Sequence, residues 1–338
     1  VYRWSPTAEV LDEFSGARPE NKNISRNGEF ILKHAAIDSQ AVPGLLVNNR
    51  HAYILGAGYL LVCILPAVFL PALMSELLAL ILRDETHSHI PFVPVVSAFL
   101  LLRECPGIFT RPARGWKIAA PIAFLGIASL VLARWNPLHW SLSIQLSLLV
   151  FGFVLAWAGA FGIFFGENAM REASFPLLFL LFAIPIPVPL LSAIIAFLQR
   201  GSAEAVSVAF RILGVPAARQ GFDFALPGIT IQIAEECSGI RSTLALVITA
   251  VLAGHLWLRS FSRTLLLCLA TVPISMAKNG MRIAVLSWLA IYVDPQFLLG
   301  SIHHQYGGIL FFGFGLLAMR LVLIALQRPR YQLHRLIH

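Results

Sequence analysis

Runs of about twenty mostly apolar residues recur from position 54 to position 327, separated by short polar loops. Nothing else in the chain limits its fold as much. A bilayer's hydrocarbon core is about 30 Å thick and takes roughly twenty apolar residues to cross as a helix. Only helices and closed barrels satisfy their backbone groups there. A barrel would show short segments of alternating hydropathy, and none dominates here. Composition agrees: 58% of residues are hydrophobic and 12% charged, against about 45–50% and about 25% in soluble domains. The expected fold class is an all-α polytopic membrane protein.

In order, residues 1–50 are polar and of mixed charge, without the apolar core or small-residue cleavage site of a signal peptide. They read as a polar cytoplasmic N-terminal region. The chemistry-bearing part is the transmembrane domain 51–327, followed by a basic cytoplasmic tail, 328–338. Spans are expected over 54–80, 90–104, 118–133, 141–165, 174–198, 238–257, 265–282 and 306–327, about eight transmembrane helices. Pro66 and Pro71 bend the first. Gly159, Ala160, Gly162 and Gly166 suit the fourth to close helix packing. Pro185, Pro187 and Pro189 break the fifth. Residues 199–237 read as a long loop, with an interfacial amphipathic helix over 203–213. A β-hairpin signal follows: Phe222, Phe224 and Leu226, a Pro227-Gly228 turn, then Ile229, Ile231 and Ile233. Residues 283–297 read as half-inserted or surface-lying.

Charge orients this arrangement. With the tail in the cytoplasm and 283–297 not crossing, the N-terminus, the Arg111/Arg114/Lys117 loop, the 167–171 loop and Arg259/Arg263 all fall inside, as the positive-inside tendency asks. The 199–237 loop, Cys237, Arg282, His303 and His304 then share the outer face. The formal charge of +8 is scattered between spans instead of being gathered on one surface, so nucleic acid is not an expected partner. The bilayer is.

Cys237 stands between a strand signal and a helix. Unpaired N–H groups and the helix dipole at such a place favour an anion. Ser238 and Gly239 are small enough to let a carbonyl approach first-turn N–H donors. Glu235 and Glu236 oppose a thiolate if they face it, and strand alternation turns at most one of them toward it. Arg282, at a span's end, either snorkels to the headgroups or holds a developing oxyanion with its rigid fork of donors. Asn279 lies in the same polar island. Arg241, four residues after Cys237 on one helical face, suits a glutamate or a substrate carboxylate. His303 or His304 is a natural proton shuttle for a thiol. Each has an ordinary interfacial reading; their convergence on one face points to a cysteine nucleophile. Without CxxC, HExxH or Cys/His ligand spacing, no metal, cofactor or disulfide framework is expected. The alternatives are a transporter, suggested by the broken fifth span, or a non-catalytic polysaccharide-export subunit. Ionisable residues gathered at span ends, away from the midplane, favour surface chemistry.

The segments Ala234-Glu235-Glu236-Cys237-Ser238-Gly239-Ile240-Arg241-Ser242, Asn279-Gly280-Met281-Arg282-Ile283 and His303/His304–Gly307/Gly308–Phe311/Phe312 together resemble the exosortase/archaeosortase family. The His87–Pro94 stretch, the Pro185–Pro189 break and the Leu226-Pro227-Gly228 turn are similar too. The resemblance spans roughly 55–325 and implies a bacterial inner-membrane thiol protease or transpeptidase, multi-pass, with its site on the extracytoplasmic side. Its partners would be membrane-anchored proteins ending in a sorting signal: a short motif such as Pro-Glu-Pro, a transmembrane helix and a basic tail. By resemblance Cys237 is the nucleophile, Arg282 the carbonyl or oxyanion stabiliser, and one histidine the acid/base. The family's histidine lies four residues before a glycine. Both His303–Gly307 and His304–Gly308 meet that spacing, and Ile309 after Gly308 favours His304. The acceptor, an amine or water, stays open.

Overall fold

The structure is a computed structural model that describes residues 54–65, 68–105, 116–294, 297 and 301–327; for Glu236 and 301–307 it describes the backbone alone. The chain divides into two compact units, Val1–Gly58 and Tyr59–His338, and all tertiary contacts below belong to the second. The expected N-terminal region 1–50 and tail 328–338 lie outside the described residues.

Helix α1 runs over Ile54–Leu65 and α2 over Pro71–Arg83, so within the first expected span a new helix begins at Pro71; Pro66 lies outside the described residues. A turn over 84–91 leads to α3 (Phe92–Glu104). Then come α4 (Ala119–Trp135), α5 (Leu142–Phe165) and two short helices, α6 (Glu167–Glu172) and α7 (Ser174–Phe179). A 3-10 turn, Leu180–Ala183, ends before the proline break. Helix α8 (Val188–Ile212) precedes strands β1 (Ala218–Gln220), β2 (Asp223–Leu226) and β3 (Ile229–Gln232). Helix α9 (Ile240–Ala253) closes in a π turn, Gly254–Leu258. Helices α10 (Phe261–Tyr292) and α11 (Ser301–Leu326) complete the bundle.

Among the described residues five helices are long and apolar enough to cross a membrane: α5, α8, α9 with its π turn, α10 and the Gly308–Leu326 part of α11. Large apolar side chains cover the outside, Leu82, Phe124 and Phe261 among them, while Ser147, Ser202, Thr271, Ser275, Asn279 and Ser287 are buried. Such a surface is stable against lipid, and the Ser147 and Thr271 hydroxyls donate to backbone carbonyls. The chain is an all-α polytopic membrane protein.

Two of the small residues expected to admit a neighbour, Gly159 and Gly162, do so. A Cβ on Gly159 would stand 2.4 Å from the Ala123 nitrogen, and one on Gly162 would stand 2.6 Å from the Ala119 Cβ. Gly126 meets Ala156 as closely from the other side, so α4 and α5 run antiparallel at near backbone contact. The fifth span is broken as its prolines require: Pro187 is extended (φ −58°, ψ 141°) and Pro189 sits in the first turn of α8, where its missing N–H costs nothing. Ser147 Oγ donates to the freed Pro185 carbonyl at 2.7 Å.

Two segments expected to stand apart are continuations of long helices, for one reason. The interfacial helix expected over 203–213 is the second half of α8, and 283–292, within the segment expected to be half-inserted or surface-lying, is the end of α10. At 1.5 Å per residue, the 32 residues of α10 reach about 48 Å, beyond the hydrocarbon thickness. The ends of α8 and α10 pack on each other and on the sheet through Val206, Phe210, Phe224, Ile231, Ile233 and Ala284. A partner for an apolar face lets each helix run on past its most apolar stretch. In that cap the sheet is antiparallel in the order β1-β2-β3. Pro227 and Gly228, the latter at φ +79°, make the tight turn from β2 to β3.

Candidate active site

Strand β3 enters the site through Ile233, whose N–H donates to the Phe222 carbonyl at 3.0 Å. The chain then turns in a 3-10 helix, Glu235–Ser238, in which the Cys237 N–H donates to the Ala234 carbonyl at 3.0 Å. Gly239 follows at φ +80°, ψ 16°. A residue with a Cβ is disfavoured there twice, by the left-handed backbone and because the Cβ would sit 3.0 Å from Asn279 Cγ. Cys237 and Arg241 therefore do not share a helical face: Gly239 separates the cysteine's turn from α9.

Two helices hold this turn at both ends. From α8, the buried Gln199 donates Nε2 to the Ile233 carbonyl at 2.5 Å. From α10, the buried Asn279 donates Nδ2 to the Cys237 carbonyl at 2.6 Å and to Ser202 Oγ of α8 at 3.0 Å. The helices come this close because Gly280 faces Ala205 and Gly201 faces Met276; a Cβ on either would stand within 2.4 Å of the opposing side chain. Lys278 Nζ donates to Ser242 Oγ, and Ser242 Oγ donates to the Gly239 carbonyl at 2.9 Å. The same carbonyl accepts the Thr243 N–H at 3.0 Å and its hydroxyl at 2.9 Å.

Arg282 is inside α10 instead of at a helix end, three residues after Asn279 and so on a neighbouring part of the same face. It lies close enough to Cys237 and Arg241 to interact with both through space. Helix α11 closes the other side: Arg282 Nη1 is 4.0 Å from where a Cβ on Gly308 would stand. Ser238 is buried, and its Oγ has no hydrogen-bond partner among the described residues. Glu235 is exposed; the Glu236 side chain, like those of His303 and His304, lies outside the described residues.

Arg241 pairs with Glu85, tying the start of α9 to the turn between α2 and α3. In that turn Asp84 accepts the Thr86 N–H at 2.8 Å and contacts His87 Nδ1 at 3.0 Å. Burial pushes the Asp84 carboxyl up, but the Thr86 and His87 contacts outweigh it and leave the carboxyl below its ordinary range. Burial holds the His89 imidazole below its ordinary value. Among the described residues no group of three His, Cys, Asp or Glu side chains could hold a metal ion.

Gln199, Ser202 and the role of Lys278, which opens the polar island holding Asn279 and Arg282, are parts of this site that the sequence reading missed. A signal existed for the first two: polar residues three apart, and so on one face, in a largely apolar stretch.

The arrangement defines a polytopic membrane protein in which a thiol, a guanidinium and buried amide donors meet at one end of a helix bundle. A model of the transmembrane exosortase family matches residues 81–321, well over half of the chain, and the chain belongs to that family of membrane enzymes that process sorting signals. No curated protein and no solved structure matches it.

Proposed function

We propose that the protein is a cysteine protease or transpeptidase that cleaves C-terminal tripartite sorting signals on the extracytoplasmic side of the bacterial inner membrane. The observation that carries this reading is the Asn279 amide. It joins the turn bearing Cys237 to α10 one helical turn before Arg282, so thiol and guanidinium are held by one rigid connection. A cysteine that merely filled space would need no such clamp.

Eight crossings follow if α1 with α2, α3, α4, α5, the 174–212 segment, α9, α10 and α11 each cross once. Both ends of α9 agree with that path. Arg241 meets Glu85 at one end, and His255 meets Glu104 at the other, 2.8 Å away. The Lys/Arg bias puts Arg259 and Arg263 in the cytoplasm and Cys237 outside.

The Cys237 thiolate attacks the carbonyl carbon of the scissile peptide. The C–O π electrons move onto oxygen, and that oxyanion is met by the Arg282 fork and the first-turn N–H groups of α9. Collapse breaks the C–N bond; a histidine gives its proton to the leaving amine, and a thioester remains. Water or an acceptor amine then attacks the thioester, the histidine takes its proton, and the thiolate leaves. For the histidine, helix register favours His304. At about 100° per residue it lies roughly 40° around α11 from Gly308, the residue facing Arg282, whereas His303 lies roughly 140° away. A substrate helix held in the bilayer presents its motif without a diffusional search, so orientation supplies much of the rate.

The test is processing, in membranes, of a reporter ending in motif, helix and basic tail. Cys237→Ala, Arg282→Ala and His304→Ala should each abolish it at equal expression, and His303→Ala should not. Processing of a genuine partner by Cys237→Ala would sink the cysteine mechanism.

A further inference from the structure

At the far end of α9 from Cys237 a cleft of about 1160 Å³ opens between α3, α7, α9 and α10. The 19 residues of α9 and its π turn put its polar end roughly 28 Å from the cysteine, so that end is not part of that site. Its walls are sorted by polarity. Arg103, Glu104, His255, Arg259 and Ser260 line one end; Phe182, Val247, Val251 and Cys268 line the part that runs back into the bundle.

The polar end is built. His255 stacks on Phe175, ring centroids 3.5 Å apart and planes within 3°, and its Nε2 lies 2.8 Å from Glu104 Oε2. Among the described lining residues Arg103 and Arg259 outnumber the one carboxylate, Glu104, and set the sign of the mouth. The Gly254–Leu258 turn is a π turn, a form that recurs at functional positions. It ends on Arg259 in the left-handed region (φ 47°), which a residue with a Cβ seldom adopts.

We infer that this cleft binds an anionic membrane lipid, phosphate at Arg103 and Arg259 and acyl chain along the Val247–Val251 wall. From Val247 to Arg259 the helix rises about 18 Å, long enough for a chain to lie along it. A basic pocket between helices at the cytoplasmic side suits an acidic headgroup. The basic tail of a sorting signal does not suit it, because it would meet the same two arginines. The inference shares only the orientation of the proposed function and none of its cysteine chemistry.

The full chain, as Cys237→Ala so that turnover plays no part, is placed in phosphatidylcholine nanodiscs and titrated with phosphatidylglycerol, reading Tm and retained lipid by native mass spectrometry. Phosphatidylglycerol should raise Tm and stay bound, whereas added phosphatidylcholine or inorganic phosphate should do neither. Arg103→Gln and Arg259→Asn, the latter chosen because asparagine tolerates the left-handed backbone, should each weaken retention about fivefold. Leu265→Trp, which fills the cleft from an exposed position, should abolish retention with the arginines intact. Equal retention of both lipids, or selectivity surviving all three substitutions, would overturn the inference. So would a basic-tailed transmembrane peptide giving the same Tm rise.

Discussion

Two helix contacts in this protein, α4 with α5 and α8 with α10, are made the same way and serve different ends. Both rely on glycines whose added Cβ would stand 2.4 Å from the opposing helix: Gly126 and Gly159 in the first pair, Gly280 in the second. The α4–α5 seam is otherwise mainly apolar, backed by Leu130, Leu149, Val150, Phe153 and Val154, and its buried Ser129 hydroxyl bonds within α4. The α8–α10 seam carries Gln199, Ser202 and Asn279, and two of these hold the backbone of 233–237. Close approach thus stabilises the bundle at one seam and positions a thiol at the other. Without lipid-side hydrophobic gain between helices, packing and hydrogen bonds are what remain to do either.

Matched substitutions break or keep this distinction. Gly159→Val and Gly280→Val each force a side chain against a closely packed helix, at a cost of about 1–3 kcal/mol, and both should lower Tm similarly. Only Gly280→Val should also cut processing per folded molecule, because it separates Asn279 from the Cys237 carbonyl. Equal processing losses, normalised to folded protein, would mean that the α8–α10 seam has no special hold on the site.

Next in size is Asn279→Leu, nearly isosteric and unable to donate. It leaves the part-buried Cys237 carbonyl and the buried Ser202 hydroxyl short of a partner, about 1–3 kcal/mol per group. Processing rate should fall by more than the accompanying drop in folded fraction explains. If rate tracks folded fraction alone, the clamp only stabilises.

The two seams also differ in how far a sequence betrays them. Small residues in a span announce close packing, so Gly159 and Gly162 were readable, and Pro185–Pro189 gave away the break because proline removes a donor wherever it stands. The alternating run from Phe222 to Ile233 marked β2 and β3, since period two survives burial of one face; β1, three exposed residues, left no such trace. Hydropathy could not show that α8 and α10 run on past the apolar stretch, because what covers their ends is another segment of chain. For the same reason Arg282 read as a helix-end residue and Arg241 as a helical neighbour of Cys237: one positive φ, at Gly239, decides the second. Cys237, Arg282 and Asn279 were legible as polar islands, while Gln199 and Ser202 acquire meaning only once α10 lies beside them.

If the clamp between α8 and α10 suffices to place Cys237, the turn between α2 and α3 should matter less, and acid tests that. His89 is held below its ordinary value in the folded state, first by burial. The unfolded chain then binds the extra proton more readily, so stability is lost as pH falls below about 6.5 and is intact above it. The Asp84 carboxyl, held below its ordinary range in the same turn, acts on the same element. His89→Gln should flatten the acid limb of Tm against pH while leaving the processing rate near neutrality within about twofold of the parent. A larger loss of rate would bring the turn into the site.

The smallest effect expected is at the Arg241–Glu85 pair, the one described side-chain bond between that turn and the start of α9. Both partners are exposed, 54% and 72%, so water screens them and ordering two long side chains offsets most of the attraction; such pairs are worth about 0–1 kcal/mol. Glu85→Gln and Arg241→Gln should change Tm little, and a double-mutant cycle should find a coupling that vanishes as salt is raised, since the pair lies within a Debye length of solvent. Processing separates two roles for Arg241. If the arginine only tethers the turn, both single variants and the double variant behave alike. If it also meets substrate, Arg241→Gln slows processing and Glu85→Gln, which frees the guanidinium, does not.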